Sequence, residues 1–106
     1  MRLLLDESVP RRFRQALPAH TVKTAVEMGW GGKKNGQLLT LAATAFEAFI
    51  TVDQNLPYQQ NLQTLPIAVI VLVASSNELH ALLPLVPRLE EALATLQVRS
   101  LVQIRT

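Results

Sequence analysis

The stretch Leu3-Leu4-Leu5-Asp6-Glu7, close to the amino terminus, decides the expected fold. Three apolar residues run directly into two acids, and no turn residue separates them. A continuous apolar run is typical of a strand that is buried on both faces, as in parallel sheets. The acids then follow the carboxyl end of the strand, where open α/β sheets place their binding sites. A second stretch, Phe49-Ile50-Thr51-Val52, runs into Asp53 and repeats the arrangement.

The remaining chain alternates between apolar runs and helical patterns. Ser8 is expected to cap the first helix and Asn35 the second. The order of these strand and helix patterns along the chain predicts an α/β fold with a doubly wound, mainly parallel five-stranded sheet. Helices are expected to flank the sheet in three α/β/α layers, and the crossovers between strands are expected to be right-handed. Strands are expected at about 2–6, 20–24, 48–52, 67–73 and 101–104, and helices at about 8–17, 35–46 and 85–96.

Length and composition limit the class of protein. With 106 residues, of which 49% are hydrophobic, the chain is expected to fold as a single domain over 1–106. It has no cysteine, which excludes disulfides and agrees with a reducing cytoplasm. The longest apolar run, 67–74, is far shorter than the ~20 residues that span a bilayer, and the run after Arg2 is too short for a signal peptide. We therefore expect a cytoplasmic protein without a membrane segment.

Positive charge is concentrated at the start of the chain. Residues 1–36 hold seven bases and three acids, whereas the remaining residues hold three bases and five acids. A basic half beside an acidic site suits a polyanion that is held by its phosphates, although an ordinary solvated surface explains the charge equally well. The candidate phosphate contacts are Arg11, Arg12, Lys33 and Lys34, and the two arginines fit the wet face of a helix as well.

The two strand ends predict a shared cation site. If the first and third strands are neighbours, about 4.8 Å apart, Asp6 and Asp53 can bind one divalent cation. Mg²⁺ is the expected ion, since it prefers carboxylate and water oxygens. Glu7 contributes only if the strand ends at Asp6 and the chain turns. Each acid alone has a plainer interpretation: Asp6 or Glu7 as a helix-cap partner, Asp53 as a turn former.

Three stretches of the sequence resemble a known family. They are Leu-Leu-Asp-Glu-Ser-Val-Pro-Arg-Arg at 4–12, Met-Gly-Trp-Gly-Gly-Lys-Lys-Asn-Gly at 28–36, and the segment 49–62. All three, in this order, resemble the small PIN-like domains, which are described as predicted toxins or nucleases. The resemblance implies a PIN-type sheet with an acidic, Mg²⁺- or Mn²⁺-dependent centre that cleaves RNA. Some members of the family act as the toxin of a toxin–antitoxin pair, which implies an antitoxin protein as partner.

By position, the resemblance assigns the site residues. Asp6 and Asp53 match the acids of the first and third strands, Glu7 matches the acid beside the first, and Asn55 falls near a supporting fourth position. The implied catalytic set is therefore Asp6, Glu7 and Asp53. The metal ligands would be Asp6, Asp53, Asn35 and Asn55. One departure weakens the expected metal binding: the family usually has an acid where this chain has Asn35 and Gln37.

Several hypotheses follow from these patterns. The first is a metal-dependent ribonuclease, and the alternative is a catalytically degenerate PIN-like domain that binds RNA or a protein. A phosphoacceptor domain of the receiver type would also place a hydroxyl, Ser75, after the fourth strand, but it needs a lysine beyond Lys34. Trp30 is equally compatible with a place in a lid over the site and with a place in the core. The apolar face of the last helix could be buried in a homodimer interface, but burial in the core explains it equally well.

Overall fold

The computed structural model of the chain describes residues 1–105. Two short 3₁₀ helices, Arg11–Ala16 and Leu83–Leu85, accompany the regular elements. The strands are β1 (Arg2–Leu5), β2 (Thr21–Thr24), β3 (Ala48–Thr51), β4 (Ala68–Val73) and β5 (Leu101–Arg105), and the α-helices are α1 (Asn35–Ala42), α2 (Leu56–Gln59), α3 (Leu79–Leu82) and α4 (Val86–Ala94).

The strands form one five-stranded sheet in the order β2-β1-β3-β4-β5, and every neighbouring pair is parallel. Leu5 lies opposite Thr24 on one side and Ile50 on the other, so the carboxyl ends of the central strands are level. The predicted parallel α/β sheet is therefore confirmed, and β1 and β3 are neighbours.

Helices cover both faces of the sheet. On one face, Leu3 and Leu5 belong to an apolar cluster that also contains buried side chains of the 3₁₀ helix Arg11–Ala16, α3 and α4. Leu4 points into a second cluster, together with α1 and α2. Because successive side chains of a strand point to opposite faces, the buried part of β1, residues 3–5, has to be apolar at every position. The three predicted layers are present.

The connections do not all have the same hand. The first connection runs from β1 to β2 on the face of the sheet that holds the first apolar cluster. The next two, from β2 to β3 and from β3 to β4, run in the opposite direction across the sheet and lie on its other face. These two changes cancel, so the first three connections have the same hand. The fourth, from β4 to β5, passes over the first face in the direction opposite to the first connection. It therefore has the hand opposite to the other three, and the expectation that all crossovers share one hand is wrong.

Two predicted helix starts differ from the structure. Pro10, rather than Ser8, precedes the first helix, which is 3₁₀ and has no side-chain cap. The Ser8 side chain instead donates to Asp6. Lys34 occupies the cap position of α1, and the Asn35 side chain contacts Asp53. In both places the side chain that capping rules assign to a helix N-terminus donates a hydrogen bond to a carboxylate at the edge of the sheet instead.

Trp30 belongs to the core rather than to a lid. It is half-buried against the second apolar cluster, and its ring meets Phe46 edge-on with centroids 6.3 Å apart. In the part of the chain that the structure describes, no helix has the length and apolar character needed to cross a membrane.

Candidate functional site

The carboxyl ends of β1 and β3 bring the two acids to one edge of the sheet. Asp6 directly follows β1, and Asp53 lies two residues beyond the end of β3. The backbone N–H of Asp6 donates to the carbonyl of Ile50 at 3.0 Å, so the chain after β1 stays against β3. This is the edge where binding sites of open α/β sheets lie.

Asp6 is almost buried and is held by hydroxyl groups. Only 7% of the residue is exposed. Its Oδ1 accepts hydrogen bonds from the backbone N–H of Ser8, at 2.9 Å, and from the Ser8 hydroxyl. Its Oδ2 accepts the Thr51 hydroxyl at 2.5 Å. The carboxylate is therefore fixed from both strands.

Thr51 joins the two acids. This residue is fully buried, and its hydroxyl donates to Asp6 while accepting the backbone N–H of Asp53 at 3.0 Å. The Ser8 hydroxyl oxygen lies 3.5 Å from that of Thr51 and accepts the N–H of Val52 at 3.3 Å. The relative position of the two acids thus depends on two hydroxyl groups.

Asp53 is half-buried and faces the start of α1. Its Oδ1 accepts the backbone N–H of Asn55 at 2.9 Å, which is the turn-forming role expected for a single aspartate. Its Oδ2 accepts the side-chain amide of Asn35 at 3.1 Å, and the same amide nitrogen also donates to Gln59 Oε1 at 3.3 Å. Asp53 therefore forms a turn with Asn55 and also connects this turn to the start of α1 through Asn35.

The carboxylates keep part of their capacity to accept further bonds. Each carboxylate oxygen has two lone pairs. Oδ1 of Asp6 already accepts two hydrogen bonds, but Oδ2 of Asp6 and each oxygen of Asp53 accept one from residues 1–105. These three oxygens are hard donors of the kind that Mg²⁺ and Mn²⁺ take together with water. The donor set fits a hydrated divalent cation.

The asparagines expected as ligands are donors here. Asn35 turns its amide nitrogen toward Asp53, and Asn55 contributes its backbone N–H while its side chain is exposed. Ligation by Asn35 would need its amide to turn over. Among residues 1–105, no group of three or more His, Cys, Asp or Glu side chains is arranged to hold a metal ion. A cation at this site would depend on two carboxylates.

The negative charge on Asp6 is unfavourable where it lies. Burial raises the pKa of Asp6 above its ordinary value of 3.8, and the charge of Asp53 adds to the rise. The hydrogen bonds from Ser8 and Thr51 offset part of that effect. A positive charge beside Asp6 would favour its ionised form.

The Glu7 side chain contacts the glycine-rich loop. It is exposed, and its Oε1 accepts the backbone N–H of Gly32 at 2.5 Å. Gly32 has φ +81°, a conformation that a residue with a Cβ rarely adopts. The structure therefore gives Glu7 a place in positioning the loop that leads to Lys33 and Lys34.

The basic residues fall into two groups. Lys33 and Lys34 are exposed and line a cleft of about 660 Å³ together with Asn35, Gly36, Gln37, Gln59 and Gln60. Arg11 and Arg12 are exposed on the first 3₁₀ helix, and Arg11 lines a separate pocket of about 400 Å³ with Asp6 and Glu7. Positive side chains thus flank the acids from two directions.

Ser8 and Thr51 contact Asp6, and Gln59 contacts Asn35, but none of the three was among the expected site residues. A hydroxyl residue at the end of an otherwise apolar strand, as in Ile50-Thr51-Val52, was the available signal for Thr51. Ser8 and Gln59 carried a weaker one, since both residue types are common in turns and on surfaces.

The comparisons with known proteins assign no family. No protein-family model matches the chain, no curated protein matches it, and no solved structure matches it.

Proposed function

We propose that the chain is a PIN-like domain that hydrolyses RNA phosphodiesters with the help of Mg²⁺ or Mn²⁺ held by Asp6 and Asp53. The observation that carries the proposal is the buried Thr51 hydroxyl, which ties Asp6 to the backbone of Asp53 at the carboxyl edge of the sheet. Three carboxylate oxygens with capacity to spare face this edge, and cationic side chains flank it.

The chain's own residues would divide the work. Thr51 and Ser8 orient the carboxylate of Asp6, and Asn55 and Asn35 orient that of Asp53. When bound there, the cation supplies an activated water and offsets charge on the scissile phosphate. Lys33, Lys34, Arg11 and Arg12 would hold flanking phosphates, which fixes the RNA without reading its sequence. Glu7 would keep the loop that carries the lysines in place.

The test is cleavage of labelled single-stranded RNA in Mg²⁺ or Mn²⁺. The wild-type chain is expected to cut, and Asp6→Asn and Asp53→Asn are expected to lose the activity. Glu91→Gln, a change at an exposed carboxylate on α4, is the matched control and should cut as the wild type does. Equal cleavage by the wild type and Asp6→Asn would discard the proposal.

A toxin role and further partners belong to the same proposal. As the toxin of a toxin–antitoxin pair in the cytoplasm, the wild-type chain should slow the growth of cells that express it, whereas Asp6→Asn should not. An antitoxin protein should restore growth by binding the chain. A homodimer through the last helix would appear as a doubled mass in sedimentation.

One observation favours a second candidate, a domain that kept the fold and binds RNA or a protein without cleaving. All four oxygens of Asp6 and Asp53 already accept hydrogen bonds, and Asn35 places an amide donor on Asp53 where an acid would attract a cation. Calorimetry separates the two candidates, because this one predicts no Mg²⁺ binding in the millimolar range. Asn35→Asp should then create binding by adding a third carboxylate.

A further inference from the structure

The cleft beside Asp53 has a composition that phosphate binding alone does not explain. Its side chains are two lysines and four carboxamides: Lys33, Lys34, Asn35, Gln37, Gln59 and Gln60. Lysines match the charge of phosphates. Carboxamides are uncharged and offer a donor and an acceptor side by side, which is the pattern that pairs with the edge of a nucleobase.

The cleft is continuous with the acids. The amide nitrogen of Asn35 lies 3.1 Å from Asp53 Oδ2 and 3.3 Å from Gln59 Oε1, so one side chain belongs to both places. Gln60 lies over the backbone of Gly36, since a Cβ built on that glycine would come within 3.7 Å of Gln60 Oε1. A nucleotide in the cleft would therefore sit directly beside the carboxylate edge.

An exposed aromatic residue stands next to these amides in the chain. Tyr58 precedes Gln59 in α2 and is 89% exposed, although Leu56 of the same helix is fully buried. The core therefore does not use the tyrosine ring. Tyr58 does not line the cleft, but the next two residues in the chain, Gln59 and Gln60, do. An exposed aromatic ring near a basic groove is the usual stacking surface for a base of single-stranded nucleic acid.

We infer that this cleft binds an unpaired base of single-stranded RNA, with Tyr58 as the stacking surface and the carboxamides of Gln59 and Gln60 in contact with the edge of the base. The inference rests on the proposed function in taking RNA as the ligand. It adds a base-binding subsite beside Lys33 and Lys34, for which only phosphate contacts were expected.

The test measures binding without catalysis. A fluorescent single-stranded RNA and an abasic oligomer of the same length are titrated with the protein in a chelator of divalent cations, using anisotropy. Tyr58→Ala should weaken RNA binding about fivefold or more, because stacking of one base contributes about 1 kcal/mol or more, and it should leave the weaker binding of the abasic oligomer unchanged. Tyr58→Phe, which keeps the ring, is the matched control and should bind as the wild type does.

Two further variants separate the base from the backbone. Gln60→Met removes the amide at similar size and should change the relative affinities for adenine, uracil and cytosine homopolymers. Lys34→Ala should weaken RNA and the abasic oligomer alike and reduce the salt dependence. Because Tyr58 is exposed, its truncation is expected to leave the melting temperature unchanged.

The outcomes decide the inference separately from hydrolysis. Equal binding of RNA by the wild type and Tyr58→Ala would overturn it, as would equal affinity for RNA and the abasic oligomer, or binding of neither. A cleft that serves a protein partner would give the first or the last of these results. If the losses appear as expected but Mg²⁺ induces no cleavage, the base subsite stands and the proposed hydrolysis fails.

Discussion

Replacement of Thr51 by valine removes the hydroxyl that joins the two acids while nearly keeping the shape of the side chain. The hydroxyl donates to Asp6 Oδ2 at 2.5 Å and accepts the N–H of Asp53 at 3.0 Å. Because the residue is fully buried, water cannot readily take the place of the lost group. Thr51→Val should therefore leave one oxygen of a buried carboxylate without this donor.

The magnitude follows from the two bonds. A hydrogen bond to a charged group contributes about 1.5–3 kcal/mol, and an unpaired buried N–H costs about 1–3 kcal/mol. Since Asp53 is half-buried, water can partly satisfy its N–H, and the lower end applies to that bond. The free energy of unfolding should fall by about 3 kcal/mol at neutral pH, and the melting temperature by more than about 10 °C.

The loss should also depend on pH. The hydroxyl of Thr51 lowers the pKa of Asp6, so the variant should raise that pKa further above 3.8. A raised pKa in the folded state means that stability falls as pH rises through it, because the unfolded chain keeps the ordinary value. The difference between wild type and variant should be largest at neutral pH and should shrink as pH falls toward 3.8.

Chemical denaturation over a pH series measures both effects. Thr21→Val, at an exposed threonine on β2, is the matched control and should change the free energy of unfolding by less than about 0.5 kcal/mol. A loss below about 1 kcal/mol for Thr51→Val at neutral pH, or a loss that is the same at every pH, would refute the reasoning from these two bonds.

Three further changes test other parts of the molecule. Asp6→Asn removes a buried charge while keeping an acceptor for Ser8, so at neutral pH the denaturation midpoint should be equal to or above that of the wild type. A fall of more than about 2 kcal/mol in the free energy of unfolding would contradict the role of burial in raising the pKa of Asp6. Glu7→Ala should speed amide hydrogen exchange at Gly32 with little change in global stability, and unchanged exchange would show that Glu7 does not hold the loop. Phe13→Ala should lower the free energy of unfolding by about 3–5 kcal/mol, because it leaves a cavity where a fully buried ring packs in the first apolar cluster. A decrease of less than about 1 kcal/mol would mean that this cluster is not packed as described.

Local patterns were sufficient for the strands and for the place of the acids. The apolar runs of β1, β3 and β4 predict strands buried on both faces, and the structure confirms them. The acids after β1 and β3 could be placed at one edge because parallel neighbouring strands end at the same edge. These inferences need only the period of side chains along a strand and the level ends of parallel neighbours.

Tertiary contacts decided everything that depends on which partner a polar group meets. The bond from Thr51 to Asp6 joins residues 45 positions apart, and Asn35 meets Asp53 across 18 positions. No local rule states that Ser8 and Asn35 would serve carboxylates instead of capping helices, because capping rules consider only neighbours in the chain. The same is true of the hand of the last connection and of the burial of Trp30, since both follow from the face of the sheet on which distant segments pack.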